Sequence, residues 1–480
     1  MKVLFTHSYF LKFDSKQFKT AMPYAPLGTL YAMAYLRENG YEVKLFDTMF
    51  CDSAKDIQLT IDDFKPDFFV CYDDGFNYLT KMCLTNMREA CFEMQAYAKS
   101  KGCIVITSSS DAADHFESYL QQGASAVAIG EAEQTLLELC EAFKNNKEIN
   151  QIPGIAYLAD NKAEKTIKRS ILKDLDTLPP PAWDLLDIQP YKTMWLAKHG
   201  YFSLNFVTTR GCPYKCNWCA KPIYGNRYNS HSPEKIVKEI KKWQGEFGFT
   251  HVWFADDIFG LKPSWVIEFK DRSKKENLKI SYKIQSRADL LVEPEYIEAL
   301  ADSGCTEVWM GAESGSQKIL DAMDKGTTVQ QIYLAAALLK KHRIRVCLFL
   351  QLGYLDETME DIKLTIKMLE DLLPDDLGIS VSYPLPGTKF YEKVKQDLKE
   401  KTNWSDSDEM ALMFKNTYPA DFYKQLHHYI HKLYRQKKAE KRIHSLGQLK
   451  KLLAYPFYFL STQKSLSKLK KTVPNVHIGF

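Results

Sequence analysis

Short apolar strands alternate with amphipathic helices along most of this chain, five times before a run of three prolines and six times after it. Strand patterns fall near Lys2–Thr6, Glu42–Phe46, Asp67–Cys71, Cys103–Thr107 and Ser125–Ile129, with helical patterns between them at Leu27–Asn39, Leu79–Lys101 and Gln134–Asn145. Gly40-Tyr41 and Lys101-Gly102 mark helix stops before strands. Five such units predict a doubly wound, flavodoxin-like parallel sheet over residues 1–150. Sheets of this kind take ligands beyond the carboxyl ends of their strands.

Residues 151–201 are irregular: a small hairpin around Asp160-Asn161-Lys162, then the stiff connector Leu178-Pro179-Pro180-Pro181-Ala182-Trp183. Six further strands follow over 202–399, near Leu204–Thr209, His251–Ala255, Ile280–Gln285, Glu307–Gly311, Arg345–Leu350 and Gly378–Ser382. Six units are too few to close an eight-unit barrel, so a (βα)6 partial barrel is expected, with its chemistry at the carboxyl ends of the strands. Residues 400–480 form a helical, basic extension, and Phe422–Lys441 reads as an amphipathic helix that covers the barrel mouth.

Directly after the first of these six strands stand Cys212, Cys216 and Cys219, in C-x-x-x-C-x-x-C spacing with Trp218 before the last. Thiolates suit zinc or iron–sulfur clusters. Three of them in one loop can hold three irons of a [4Fe–4S] cube and leave the fourth iron open. A zinc site would need a fourth protein ligand, for which His199 and His231 are the candidates. The other eight of the eleven cysteines are scattered, which argues against a disulfide framework and for a reducing compartment.

The three-cysteine loop resembles that of the radical S-adenosylmethionine (SAM) superfamily. The first 150 residues are similar to the cobalamin-binding domain that precedes many such barrels, including the anaerobic magnesium-protoporphyrin cyclase-like subgroup. The similarity lies in Tyr24-Ala25-Pro26-Leu27-Gly28-Thr29 and in Ile129-Gly130-Glu131-Ala132-Glu133-Gln134-Thr135, with Ser108 and Ser109 where a glycine pair is usual. The resemblance implies three cofactors: a [4Fe–4S] cluster on the three cysteines, SAM on its open iron, and cobalamin on Pro26, Leu27, Gly28, Ser108, Ser109, Gly130 and Glu131. No D-x-H-x-x-G motif is present, since Phe5 stands two residues before His7, so no histidine–cobalt bond is expected. For SAM it implies Trp218, Asp256, Asp257, Arg287, Glu313, Ser314 and Gln351, which lie at successive strand ends. Acids suit its amine, the arginine fork a carboxylate, and Glu313 and Ser314 the ribose hydroxyls. The activity implied is reductive cleavage of SAM to a 5′-deoxyadenosyl radical, followed by methyl transfer or another radical modification of a small molecule.

A tRNA methylthiotransferase-like enzyme is one alternative. It would need a second cluster on N-terminal cysteines, and Cys51, Cys71, Cys83, Cys91 and Cys103 do not group at strand ends. A non-catalytic iron–sulfur or zinc protein is another, and for the first domain a flavodoxin-like module without a cofactor. The expected partners are a small-molecule substrate and an electron donor such as flavodoxin or ferredoxin; nucleic acid is not expected.

The chain has no run of eighteen apolar residues, and Met1–Phe5 reads as a first strand rather than a signal peptide, so a cytoplasmic location is expected. From Phe422 onward there are thirteen Lys and Arg against one acid, Glu440, a net +12 that leaves the rest of the chain at −8. With the apolar run Leu452–Leu460 beside Lys450, Lys451, Lys464 and Lys468, this tail suits peripheral contact with an anionic membrane. Pro456 is expected to interrupt any helix through that run.

Overall fold

The computed structural model describes residues 1–73, 75–76, 84–221, 223–398, 403–445, 455–474 and 478. Cys83, residues 79–83 of one expected helix, Lys450, Lys451 and residues 452–454 of the apolar run lie outside them.

Two sheets organise the chain. The first contains β1 (Lys2–Thr6), β2 (Glu42–Phe46), β3 (Phe68–Tyr72), β4 (Ile104–Ser108), β5 (Ala126–Ala128), β6 (Ile155–Ala159) and β7 (Lys162–Lys165), in the order β2-β1-β3-β4-β5-β6-β7. The first five strands are parallel, in the doubly wound order that reverses between β1 and β3. All five residues of β3 are buried, as expected of a central strand covered on both faces. The hairpin expected in the connector extends this sheet: β6 pairs antiparallel with β5, and β7 with β6. Ile155 and Ala156 are fully buried there, so the hairpin covers an edge that three-residue β5 would leave open.

The second sheet contains β8 (Ser203–Phe206), β11 (His251–Phe254), β12 (Ser281–Ser286), β13 (Cys305–Glu313), β14 (Arg345–Leu352) and β15 (Asp376–Val381). Its order is β15-β14-β13-β12-β11-β8, parallel throughout, which is the six-unit partial barrel. Between β8 and β11, the two-residue strands β9 (Thr209–Arg210) and β10 (Asn229–Ser230) pair antiparallel and pinch off the cysteine loop at its base.

The long C-terminal helix Ala420–Ser445 lies along the barrel's edge strand. At one end Asn416 Nδ2, just before the helix, donates 2.6 Å to the Gly353 carbonyl beyond β14. At the other, Tyr434 Oη donates 2.9 Å to the Pro374 carbonyl ahead of β15. It thus runs along the β15 edge of the barrel from mouth to floor, where the sequence suggested a cover over the mouth. The last described helix covers Tyr455–Thr472 and includes Pro456; residues 446–454, just before it, lie outside the described ones. Among the described residues no helix is long and apolar enough to cross a membrane.

Candidate active site

Because the six barrel strands are parallel, their carboxyl ends open on one side, and the cysteine loop rises there. Its conformation is set by packing. Gly211 has φ +83°, and a Cβ on it would run into the Arg227 carbonyl, so only glycine lets the two ends of the loop close. Asn217, between Cys216 and Cys219, is 4% exposed and fastens the loop to three other segments. Its amide donates 2.7 Å to the Ala322 carbonyl and accepts 2.8 Å from Tyr354 Oη. Its backbone N–H donates to Met323, and its carbonyl accepts from Phe390, both at 3.0 Å. Lys221 Nζ donates 2.6 Å to the Tyr214 carbonyl across the loop. The sequence reading missed Asn217; its only signal there was a short polar residue between two cysteines.

Cys212 is buried, and burial raises its thiol pKa, while Cys216 and Cys219 are half-buried. His199 and His231 do not approach as further ligands. His199 Nε2 lies 3.1 Å from the carbonyls of Thr20 and Ala21, and His231 Nδ1 lies 3.0 Å from Asp176. Among the described residues no three His, Cys, Asp or Glu gather around a single ion position. Among the described N-terminal cysteines, Cys71 and Cys91 meet, with sulfurs 3.3 Å apart.

The strand-end residues divide into those that shape the site and those that stay near its opening. Asp256 is fully buried; its Oδ1 accepts from the Thr208 N–H and from the hydroxyls of Thr208 and Thr209, at 2.9, 3.0 and 2.5 Å. Its Oδ2 is buried without a partner among the described residues, and burial pushes the carboxyl up to about 7. Asp256 therefore braces the strand entering the cysteine loop, and half-buried Asp257 is the acid whose charge reaches Cys212. Arg287 is paired bidentately with Asp289 at 2.9 and 3.2 Å, and Nη2 donates to the Lys325 carbonyl. Its guanidinium lies 3.6 Å over the Tyr214 ring and 3.7 Å from Cys216 Sγ, so it faces the cysteine loop. Glu313 has φ +60° at a bulge in β13 and accepts 2.7 Å from Lys325 Nζ. Ser314 Oγ is 3.1 Å from Thr365 Oγ1, and Gln351 Nε2 donates 2.9 Å to Ser382 Oγ. Trp218 is half-buried, and its buried Nε1 has no partner among the described residues.

The cysteine loop also meets the strand ends of the first sheet. A Cβ on Gly75, just beyond β3, would be 2.5 Å from Ile223 Cδ1, and one on Gly130 would be 3.6 Å from the Ile223 carbonyl. The Phe76 and Tyr224 rings stack at 5.4 Å. Arg210, at the base of the loop, donates 2.6 Å to Glu131 Oε1 and 2.6 Å to Glu133 Oε1, all three residues being buried or nearly so. Glu131 Oε2 accepts from the Leu172 N–H. Nearby, Ser109 Oγ caps a short helix by accepting from the Ala112 N–H, and the Ser108 carbonyl accepts from Asp73. Ala25, before Pro26, Leu27 and Gly28, is held at both backbone groups by the Asn205 side chain of β8, at 2.7 and 2.9 Å. His7 is buried and pairs with Asp47 at 2.8 Å. Gly130 (φ +83°) and the two serines give this face the low relief that a large ligand needs to reach backbone.

The profile of the radical SAM superfamily matches residues 206–369. The chain is 29% identical over 389 residues to a protein of Pyrococcus horikoshii named as an uncharacterized methyltransferase, covering 79% of this chain and 80% of that one. It is 26% identical over 408 residues to anaerobic magnesium-protoporphyrin IX monomethyl ester cyclase of Rubrivivax gelatinosus, covering 82% and 70%. Among solved structures, the cobalamin-dependent SAM radical enzyme OxsB with aqua-cobalamin bound superposes with a TM-score of 0.76 at 18% identity, covering 100% of this chain and 74% of that one. The chain is a radical SAM enzyme, with the fold of a cobalamin-dependent member of that superfamily.

Proposed function

We propose that the chain modifies a small molecule at an unactivated carbon, by methyl transfer or ring closure, with both cofactor sites facing one reaction space. The observation that carries this reading is the meeting of the cysteine loop with the strand ends of the first sheet, through Ile223 on Gly75 and Gly130 and through Arg210 on Glu131 and Glu133. In this reading Cys212, Cys216 and Cys219 hold a [4Fe–4S] cluster. Asp257 takes the amine of SAM, while Trp218, Gln351 and the Glu313–Ser314 turn border its adenosyl part. Arg287 lies beside Cys216 and faces the cluster loop. When bound, the cluster and SAM supply the electron and the 5′-deoxyadenosyl radical that activate the substrate. The chain's own residues orient the bound groups and exclude water.

Gly130, Ser108, Ser109 and Pro26–Gly28 border the surface offered to cobalamin, and the cobalamin-bound relative and the methyltransferase and cyclase names support that assignment. A flavodoxin or ferredoxin would supply the electron. Phe457 (71% exposed) and Leu460 (66%), on a helix that also carries Lys464 and Lys468, support contact with an anionic membrane.

The test is anaerobic reconstitution with iron, sulfide and hydroxocobalamin, followed by reduction in the presence of SAM. Cluster absorption near ~400 nm and 5′-deoxyadenosine or S-adenosylhomocysteine are expected, and Cys212→Ala, Cys216→Ala or Cys219→Ala should each abolish both. A cysteine variant that still cleaves SAM reductively would overturn the cluster assignment. Loss of all cobalamin on desalting would overturn the methyl-transfer half. Co-sedimentation with phosphatidylserine vesicles at low salt tests the tail; no pelleting rules it out as an anchor.

A further inference from the structure

The concave face of the barrel sheet carries a charged group that the site above does not use. Tyr282 and Ile284 of β12 are fully buried towards the helices, so by alternation Ser281, Lys283 and Gln285 line the concave face. Lys283 is 9% exposed. Its Nζ lies 4.3 Å from the centre of the Trp253 ring and 5.8 Å from that of Trp195, and its polar neighbour is the Met22 thioether at 4.0 Å. Among the described residues no oxygen accepts a hydrogen bond from it. The acid opposite it in register, Glu307, is already committed: Oε2 pairs with Arg345 at 2.6 Å, and Oε1 accepts 2.8 Å from Trp309 Nε1.

One layer towards the mouth, Trp309 stacks on Phe349 with centroids 4.7 Å apart at 28°. Phe349 is 36% exposed although β14 lies between two hydrogen-bonded neighbours. Its register partner is Gly378, where a Cβ would be 3.0 Å from the Phe349 ring and 3.3 Å from Trp309. The glycine therefore makes room for the aromatic pair, whose other side faces the open interior.

A buried ammonium bounded by π faces and a sulfur lacks the oxygen acceptors that its three donors need. Two tryptophan faces favour the cation but leave its hydrogen bonds unmade. The unbranched Met22 side chain can move aside.

We infer that this concave face is the substrate's bed, and that the substrate is a flat apolar acid. Its carboxylate accepts from Lys283 Nζ, and its body lies on the Trp309–Phe349 pair, with the far end towards the barrel mouth. This rests on the reading of the mouth as the radical site.

The pair 1-pyrenebutyrate and 1-pyrenebutanol tests it, since the two share a flat apolar body and differ in the anion. Each is titrated into the full-length protein and followed by tryptophan quenching. The acid should bind about ten-fold or more tightly than the alcohol, as for a charge-assisted bond. Lys283→Met should erase that preference while the alcohol binds as before, and Phe349→Ala should weaken both. Equal affinities in the unsubstituted protein, no binding of either probe, or an acid preference that survives Lys283→Met would each overturn the inference. The comparison within the unsubstituted protein stands even if a variant does not fold. SAM cleavage by the reconstituted unsubstituted protein is read separately. Cleavage without an acid preference sinks this inference alone, and a preference without cleavage sinks the radical reading and leaves the bed.

Discussion

Asn217 concentrates more of the cysteine loop's support than any cysteine does, through contacts with Ala322, Met323, Tyr354 and Phe390. Asn217→Ala removes the side-chain bonds to Ala322 and Tyr354, whose hydroxyl keeps the Ala322 carbonyl as its acceptor, at a cost of roughly 1–3 kcal/mol. The variant should keep all three cysteines and still take up less than about half the iron of the unsubstituted protein, with a lower melting temperature; full iron and unchanged melting would refute the anchoring role. Asp256 makes a pH prediction. Burial raises its carboxyl to about 7, so the folded protein keeps a proton that the unfolded chain releases near 3.8. Stability from this group is therefore fully present at low pH and is lost as pH rises from about 4 to about 7, by roughly 1.4 kcal/mol per pH unit at most. Urea midpoints across that window should fall for the unsubstituted protein and fall less for Asp256→Asn, which keeps an oxygen for the threonine hydroxyls. Parallel slopes would show that another group sets the dependence. The positions of Asp256, Arg287 and Glu313 at strand ends were legible in the sequence, because strand periodicity and a following polar residue are local signals. The distant partners were not: Thr208 and Lys325 reach Asp256 and Glu313 only once register and the β13 bulge are set.

At the scale of elements, the strand and helix alternation carried both sheets, since apolar runs with turn residues between them are enough to order parallel units. It could not show that β6 and β7 join the first sheet, because edge addition depends on an open neighbour and not on the hairpin's own residues. Nor could it place the C-terminal helix along β15, which needs the half-barrel's open side as its partner. Gly315 marks a contact that no local pattern predicts. It lies between β13 and the helix Met359–Leu372, and a Cβ there would overlap the Leu364 carbonyl and the Thr365 Cα. Both obstacles are backbone, so they cannot rotate away. Gly315→Ala should cost at least ~1–3 kcal/mol by overpacking and move Ser314, whose hydroxyl depends on Thr365 of the same helix. Chemical denaturation measures the first effect; an unchanged midpoint would mean that the helix can shift without loss.

Across the whole molecule, the first domain and the barrel are joined where both have their strand ends. Arg210 belongs to the barrel, Glu131 and Glu133 to the first domain, and the three side chains are 3%, 9% and 5% exposed. The Arg210 guanidinium also lies 5.4 Å from the Tyr31 ring and 5.2 Å from that of Tyr224, so its charge is balanced from both sides of the junction. Burial, and to a lesser degree the neighbouring Glu133 charge, raise the Glu131 carboxyl, and Arg210 is the main influence drawing it back. Arg210→Met keeps the length of the side chain and removes its charge, which strands two buried carboxylates beside each other. Breaking a buried pair in this way costs about 3–5 kcal/mol, and here the loss falls on the junction. The variant should therefore unfold in two calorimetric steps where the unsubstituted protein shows one, and limited proteolysis should cut first in the connector around 166–182. Arg210→Met with Glu131→Gln and Glu133→Gln removes the stranded charges and should regain a large part of the loss. A single unshifted transition in Arg210→Met would show that the two domains are held together by their apolar contacts, such as Phe76 on Tyr224, and not by this buried ion triad.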